Sequence, residues 1–168
     1  MASTSSFDVT TGVDFNEVHN AVTQATKEIT QRYDFKGVKA TIELDQKEKK
    51  ITLGAPDDFK LKAIWDVLQS KLVRRQVPLK NMKPGEIVPA AGSSVRQVVT
   101  IQDGLTADMA REIAKAIKDA KMKRVQAAIQ GDTVRISSPS KDDLQAAIAL
   151  LKQQDIGVDL KFGNYRST

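Results

Sequence analysis

The sequence contains no cysteine and a single histidine, His19. Disulfides, thiol nucleophiles and cysteine-ligated zinc are therefore excluded. A serine nucleophile would depend on this one imidazole as its base. His19 lies beside the apolar stripe of a predicted helix, where a surface or boundary histidine is the simpler interpretation. No histidines and carboxylates have the spacing of metal ligands, so we expect no catalytic residue, no metal and no cofactor.

Long apolar runs are absent as well. No run approaches the roughly 18 residues of a membrane-spanning helix, and the opening M-A-S-T-S-S lacks the basic and apolar regions of a signal peptide. We therefore expect a cytoplasmic protein without membrane partners. The glycine-rich phosphate loops G-x-G-x-x-G and G-x-x-x-x-G-K-S/T are also missing, so any phosphate contact must come from side chains or helix ends.

Aromatic residues make up only 5% of the chain. A sheet that binds RNA usually carries aromatics on its open face, whereas the outward positions of the predicted strands hold residues such as Lys39, Thr41, Gln126 and Arg135. Stacking of bases on a sheet face is therefore disfavoured. The composition is otherwise globular, with 40% hydrophobic and 28% charged residues among 168, and the formal net charge of +5 favours polyanionic partners.

An internal repeat organises the chain. Apolar residues at three- and four-residue spacing predict a helix over 14–33, and period-two alternation predicts a hairpin over 38–53. A second helix follows the segment G-A-P-D-D. The same order recurs from Val95, with its hairpin turned at Gly131-Asp132. With a first strand over 6–10, each half reads βαββαβ. The predicted fold is α+β: a duplicated ferredoxin-like sandwich of antiparallel four-stranded sheets with two helices on one face.

Basic residues cluster at the predicted ends of the second and third helices. They are Lys71, Arg74, Arg75, Lys80 and Lys83 in the first half, and Lys115, Lys118, Lys121, Lys123 and Arg124 in the second. Cations near a helix C-terminus interact favourably with the helix dipole, which is a sufficient structural reason for each cluster alone. Their recurrence at equivalent places favours a surface that faces a polyanion, whose binding would weaken steeply with salt.

The stretch Q-R-Y-D-F-K-G, residues 31–37, combines aromatic and charged residues at the end of the first helix. Its counterpart in the second half is the plainer K-D-A-K-M-K-R. Gly37 suits the turn into the next strand, and Tyr33 suits the last place on the apolar stripe. The turn does not by itself require Arg32, Phe35 and Lys36 together. A helix end and a ligand-binding site therefore both remain open for this stretch.

The segment I-Q-G-D-T-V-R, residues 129–135, faintly resembles the acylphosphatases, which share the predicted fold. A tight hairpin explains its glycine, and strand alternation explains Arg135. An enzymatic alternative, a metal-independent phosphatase or phosphodiesterase that depends on Arg135, remains less favoured than binding.

Three motifs in order resemble the YajQ family: R-Y-D-F-K-G, then Q-G-D-T-V-R-I followed by S-K-D-D-L-Q-A, and finally F-G-N-Y-R. The resemblance extends over nearly the whole chain. It implies two ferredoxin-like domains that exchange their N-terminal strands, so that residues 5–10 complete the second sheet and 95–103 the first. The implied domains are 11–103, and 1–10 with 104–168. The proline-, glycine- and serine-rich segment 83–94 reads as a connector.

The resemblance implies binding without catalysis, with GTP, ATP or tRNA as family ligands. The alternative it implies is a cyclic di-GMP receptor that acts with a transcription factor. The sequence lacks both R-x-x-x-R and R-x-x-D, the usual arginine motifs for cyclic di-GMP in other families.

We expect nucleotide or RNA phosphates to contact lysine and arginine near the domain junction, with aromatic rings available for stacking. The expected phosphate-binding residues are Arg32, Lys36, Lys121, Lys123, Arg124 and Arg166, with Arg135 a further candidate. The expected stacking residues are Tyr33, Phe35 and Tyr165.

Overall fold

The computed structural model describes residues 3–167, which form four α-helices and nine β-strands. The helices are α1 (Phe15–Gln31), α2 (Asp58–Arg74), α3 (Ala107–Asp119) and α4 (Lys141–Lys152). The strands are β1 (Ser5–Thr10), β2 (Thr41–Asp45), β3 (Lys50–Ala55), β4 (Met82–Pro84), β5 (Val88–Ala90), β6 (Ser94–Ile101), β7 (Gln126–Gln130), β8 (Thr133–Ser138) and β9 (Lys161–Ser167).

The strands form two antiparallel sheets. One has the order β7-β8-β1-β9, and the other has the order β2-β3-β6-β4 with β5 also paired to β6. Strand β1 therefore completes the sheet of the second half of the chain, and β6 completes the sheet of the first half. The predicted duplicated ferredoxin-like fold with exchanged strands is confirmed.

Two compact units follow from this pairing. We call residues 13–102 the continuous unit, and residues 3–12 with 103–167 the split unit because two chain segments build it. Each unit has its own core, in which the inward face of the sheet packs against two helices. Fully buried side chains include Ile51, Leu53, Leu61 and Leu68 in the continuous unit, and Phe7, Ile113, Ile136 and Leu151 in the split unit.

The segment 83–94 differs from its prediction as a connector. Strands β4 and β5 both pair with β6, and the Gly85 amide between them donates to the Val98 carbonyl at 2.8 Å. The sheet of the continuous unit consequently has five strands rather than four. Pro84 and Pro89 are compatible with short edge strands because a proline there needs no partner for an N–H. Because segment 83–94 has the proline- and glycine-rich composition of a turn, the sequence did not indicate strands β4 and β5.

All four helices begin at a side-chain oxygen that accepts a backbone N–H, as their sequences predict. Asp14 accepts from Asn16 N at 2.9 Å and Asp57 from Lys60 N at 2.8 Å. Thr106 and Ser140 cap α3 and α4 in the same way. Capping satisfies amides that a helix cannot pair internally. These caps fix the residue at which each helix begins, and therefore where the preceding turn ends.

Candidate functional site

The turn after α1, residues 32–37, satisfies much of its own charge. The Arg32 guanidinium donates from Nε to Asp34 Oδ1 at 2.9 Å and from Nη2 to Asp34 Oδ2 at 2.7 Å. This bidentate hydrogen bonding lowers the pKa of Asp34 and raises the pKa of Arg32. Arg32 thus has an internal carboxylate partner and is only partly available to a phosphate.

Phe35 is a core residue, which corrects its assignment as a stacking ring. Its side chain is only 5% exposed and packs in the core of the continuous unit. The Arg32 guanidinium carbon lies 5.4 Å from its ring centroid and Lys60 Nζ lies 4.9 Å from it. Lys60 Nζ also donates to the Asp34 carbonyl. The ring is held between cations and core, so no base can stack on it.

Two aromatic side chains of the continuous unit do face solvent. Tyr33 is 89% exposed in the turn after α1, and Phe59 is 77% exposed on the first turn of α2. Lys36 is exposed as well, with no side-chain partner among residues 3–167. Phe59 was not among the expected site residues. Its position off the apolar stripe that carries Leu61 and Leu68 would have indicated an outward ring.

The turn after α3 leaves its cations open. The side chains of Lys118, Lys121 and Lys123 are exposed and have no ion-pair or hydrogen-bond partner in the described part of the chain. All three line one hollow of about 540 Å³. The rest of its lining is apolar and comprises Ala114, Ile117, Met122, Val125 and Ala127. We call it the lysine hollow.

Two of the residues at this turn have further features. Arg124 does not line the lysine hollow; its Nε lies 3.9 Å from Asp143 Oδ2 on α4. Lys121 has a φ of 55°, in the left-handed region, directly after the helix cap Ala120. Glycine is usual at that position because other residues adopt this conformation at a cost.

Two of the five basic residues at the end of α2, Lys71 and Arg75, are ion-paired. Lys71 Nζ lies 2.9 Å from Glu28 Oε1, and Arg75 Nη1 lies 3.4 Å from Glu17 Oε2, both across to α1. A groove of about 840 Å³ runs past these residues, but carboxylates and cations line it together.

The second cluster also has two ion-paired members, since Lys115 Nζ lies 3.2 Å from Asp119 Oδ2 and Arg124 lies near Asp143. The two clusters differ in their hollows, because carboxylates line the groove at α2 whereas lysines and apolar residues line the lysine hollow.

Arg135 serves the sheet of the split unit. Its Nε donates to Asp8 Oδ1 at 3.0 Å from the directly opposed position on the neighbouring strand. Asp8 Oδ2 also accepts from Asn164 Nδ2 at 2.6 Å. The bond from Arg135 is the main cause that lowers the pKa of Asp8, with Asn164 and Arg166 adding to it and burial opposing it. The Arg135 guanidinium, which a phosphatase reaction would need for a phosphate, is therefore already bound to the Asp8 carboxylate.

Tyr165 and Arg166 lie together at a smaller hollow of about 220 Å³, which Lys141 and Leu144 also line. Tyr165 is 63% exposed, with its ring centroid 6.1 Å from that of Phe7. Arg166 Nε donates weakly to Asn164 Oδ1 at 3.4 Å. These two expected residues do not line the lysine hollow.

Residues 3–167 contain no group of three or more histidines and carboxylates that could hold a metal ion. Within the same residues, no helix is both long and apolar enough to cross a bilayer. The main surface features of these residues are lysines that have no ion-pair partner among them and aromatic rings that face solvent.

Fold and surface together define a class: duplicated ferredoxin-like proteins with exchanged strands, whose open cations lie at helix ends. A family model described as "Nucleotide-binding protein YajQ-like" matches residues 5–166. The chain belongs to this family, which confirms the resemblance of its three motifs.

Curated relatives extend over nearly the full length of the chain, and each is named "Nucleotide-binding protein". One from Solibacter usitatus is 52% identical over 162 residues, covering 96% of this chain and 97% of the relative. One from Desulfitobacterium hafniense is 53% identical, covering 99% and 100%. One from Elusimicrobium minutum is 50% identical, covering 96% and 98%.

Proposed function

We propose that this protein binds nucleotides, and that the lysine hollow holds their phosphates. The names of the relatives supply the ligand class. The observation that carries the location is the set of three lysines, Lys118, Lys121 and Lys123, which line one hollow without a carboxylate partner within the described residues. The other basic groups of the expected site are ion-paired or lie elsewhere.

The local charge favours an anion in spite of the nearby helix end. A helix C-terminus carries about half a negative charge, whereas the three ammonium groups supply three positive ones. The excess remains positive, so a di- or triphosphate gains contacts that a single lysine would not provide.

The apolar lining fits the other part of a nucleotide. Met122 is partly exposed beside the lysines, whereas Ile117 and Val125 are buried core side chains. The volume of about 540 Å³ lies within the range of small-molecule sites. Among residues 3–167, no aromatic ring lines the hollow. A base would rest on aliphatic groups without a specific hydrogen-bond partner, so we expect ATP and GTP to bind alike and triphosphates to bind more tightly than monophosphates.

The test is a calorimetric titration of wild type and of the double variant Lys121→Ala/Lys123→Ala with ATP and GTP. We expect the variant to bind about tenfold more weakly at low salt, and the salt dependence of its binding to be shallower. The matched control is Lys152→Ala/Lys161→Ala, which removes the same charge from two exposed lysines of the same unit. Equal losses in both variants would show general charge attraction and would refute the site.

Further titrations distinguish the finer ligands. Tight, salt-sensitive binding of tRNA without affinity for ATP or GTP would make the protein an RNA-binding protein. Stoichiometric binding selective for cyclic di-GMP would favour a receptor that acts with a transcription factor. Incubation with each nucleotide should yield no hydrolysis product, and turnover that Arg135→Ala abolishes would restore the enzymatic alternative.

A further inference from the structure

Within residues 3–167 the two sheets have four outer edges, and three of them carry features that hinder pairing with a further strand. A sheet edge exposes unpaired backbone groups, and charged side chains, prolines or bulges on the edge strand discourage strand addition. Strand β2 has Glu43 and Asp45, and the short strands β4 and β5 have Pro84 and Pro89. Strand β9 begins at Lys161 and pairs with β1 through a register shift.

Strand β7 forms the fourth edge and has none of these features. Its sequence Q-A-A-I-Q contains no charge, proline or glycine, its register with β8 is regular, and Ile129 is 47% exposed. When Val38 is aligned with Val125, the charged Glu43 of β2 corresponds to the neutral Gln130 of β7. Because β2 occupies the same place in the other sheet, the fold itself does not require an edge without charge.

The open side of β7 presents backbone hydrogen-bonding groups. The two-residue turn after β7 joins the pair Gln130–Thr133, and such a turn closes on a hydrogen-bonded pair. Antiparallel pairs alternate between hydrogen-bonded and non-hydrogen-bonded, so the N–H and C=O groups of Ala127 and Ile129 face away from β8. Among the described residues, neither makes a backbone hydrogen bond outside the β7–β8 pairing. An added strand would therefore find donors and acceptors on this side.

The lysine hollow lies beside the same open side. Ala127 of β7 and the preceding Val125 line the hollow, whereas none of the described residues of the neighbouring strand β8 does. The hollow is therefore on the outer side of β7. Side chains alternate between the two faces of a strand, so every second side chain of an added strand would point toward Lys118, Lys121 and Lys123.

Charge decides which kind of strand fits. A second copy of this chain paired through β7 would bring two sets of three lysines together, and like charges repel. An acidic strand would instead place its carboxylates beside these ammonium groups. The opposite face of β7 carries only Gln126, Ala128 and Gln130, which impose no charge on the other side chains of the added strand.

We propose that β7 binds an extended acidic segment of a partner protein as an additional antiparallel strand, with carboxylates on alternate residues contacting Lys118, Lys121 and Lys123. We call this site the β7 edge. Backbone hydrogen bonds supply affinity in such strand addition, and alternate side chains supply specificity. The antiparallel direction continues the pairing of all four described strands of this sheet.

The inference goes beyond the proposed function, because its backbone contacts involve no nucleotide. It rests on the proposed function in one respect only, which is that both ligands use the same three lysines. The carboxylates of the strand and the phosphates of a nucleotide then compete, so that a bound nucleotide would control access of the partner protein to the β7 edge.

The probe is the labelled peptide T-E-T-V-T-E-T with blocked ends, titrated by fluorescence anisotropy at low salt without nucleotide. We expect it to bind, and T-K-T-V-T-K-T to bind about tenfold or more weakly because its charge is reversed. Methylation of the backbone nitrogens of the valine and one glutamate, which face β7, should weaken binding about tenfold, since each methyl removes a hydrogen bond. Methylation of two threonine nitrogens, which face away, is the matched control and should leave affinity unchanged.

Ile129→Pro tests the same contact from the side of the protein. The Ile129 N–H faces the open side, so proline removes a donor for the added strand without removing a hydrogen bond to β8. We expect about tenfold weaker peptide binding, with ATP binding as in wild type. Ile129→Ala keeps the N–H and should keep most of the peptide affinity. The melting temperature reports whether Ile129→Pro is folded, and if it is not, the two methylated peptides decide the question with wild type.

The outcomes separate this inference from the proposed function. Absence of binding by the acidic peptide, or equal binding by the two methylated peptides, would overturn the β7 edge whatever the ATP titration shows. Dimerisation of wild type in sedimentation equilibrium that Ile129→Pro abolishes would assign the edge to a second copy and overturn the acidic partner. Peptide binding without ATP binding would support the β7 edge and refute the proposed function. If both bind, ATP should displace the peptide, and a failure to do so would refute the shared use of the lysines.

Discussion

The turn after α1 and the turn after α3 occupy equivalent places in the two units but treat their charges in opposite ways. In the continuous unit, Arg32 and Asp34 form a bidentate ion pair. In the split unit, Lys121 lies in the turn after α3, and its side chain finds no partner within residues 3–167. The first turn thus satisfies its own charge, whereas the second leaves a lysine without a carboxylate, which supports the proposed phosphate site. The more conspicuous motif is the less available to a phosphate.

The open faces of the two sheets show the same kind of divergence. Asp8 and Arg135 face each other across β1 and β8 in the split unit, whereas Val98 and Thr52 hold the corresponding positions on β6 and β3. Both sheets form, so the fold does not depend on the ion pair. The lowered pKa of Asp8 predicts that acid weakens the split unit through this pair, which the other sheet does not have.

The largest expected effect concerns the equivalent apolar residues of the two turns, Phe35 and Met122. Phe35→Ala should lower the free energy of unfolding by about 3–4 kcal/mol, because a nearly buried ring leaves a cavity. Met122→Ala should cost only about 1–2 kcal/mol, since Met122 is partly exposed at the lysine hollow. Urea denaturation followed by circular dichroism measures both. Equal losses would mean that the two turns are packed alike.

The next effect is a pH dependence that the split unit owes to Asp8. The lowered pKa of Asp8 means that its ion pair stabilises the fold above the unfolded-state pKa, near 3.8, and that this contribution is lost as pH falls through the folded-state value. Asp8→Val/Arg135→Thr copies the residues of the continuous unit. As the pH falls from 5 to 2, wild type should lose more stability than this variant, because only wild type must protonate a carboxylate that is ion-paired in the folded state. Urea denaturation at each pH measures the difference.

Asp8→Asn provides the control for that comparison, because it keeps the size of the side chain but removes the charge that titrates. Urea denaturation across the pH series should show the same flattened profile for Asp8→Asn as for the double variant. A wild-type profile in both variants would assign the acid sensitivity to other carboxylates.

Local sequence signals predicted most of the fold. Periodicity and the segment G-A-P-D-D located the helices of the first half because those signals lie within a few residues of the element they specify, and the repeat extended the prediction to the second half. The strands β4 and β5 escaped because their prolines and glycines are typical of loops, and only pairing with β6 makes them strands. The strand exchange followed from family resemblance, since periodicity does not reveal which sheet a strand joins.

The candidate site was less predictable because its charges are set by tertiary contacts. The partners of Lys71 and Arg75 lie 43 and 58 positions away, on another helix. The repeat did hold one unused signal: Phe35 corresponds to an apolar Met122, whereas Phe59 corresponds to a polar Asp142. Comparison of the two halves therefore distinguishes the core phenylalanine from the exposed one, which composition and spacing alone do not.

A smaller effect should separate stability from binding at Lys121. Lys121→Gly places the residue best suited to a φ of 55° directly after the cap of α3. We expect the free energy of unfolding to rise by about 0.5–1 kcal/mol, while ATP binding weakens because an ammonium group is lost. Urea denaturation and calorimetry on the same preparation measure the two quantities. A gain in stability with unchanged ATP affinity would remove Lys121 from the site.

The smallest expected effect comes from breaking the Arg32–Asp34 ion pair, so that the turn after α1 resembles the turn after α3. Asp34→Asn removes the carboxylate that neutralises Arg32. The turn then carries the positive charges of Arg32, Lys36 and Lys60 without the negative charge of Asp34. Because the Arg32–Asp34 pair is solvent-exposed, its loss should change the free energy of unfolding little. We expect affinity for a single-stranded RNA to rise about twofold to threefold at low salt and to converge with wild type at high salt.

Asp66→Asn is the matched control for this last change, since it removes the same charge from an exposed position on α2 of the same unit. It should raise RNA affinity by less than Asp34→Asn, because long-range attraction from net charge is screened whereas a freed guanidinium beside the exposed Tyr33 can contact the strand directly. Equal gains in the two variants would mean that overall charge attracts the RNA, and that the Arg32–Asp34 pair does not control what this turn can bind.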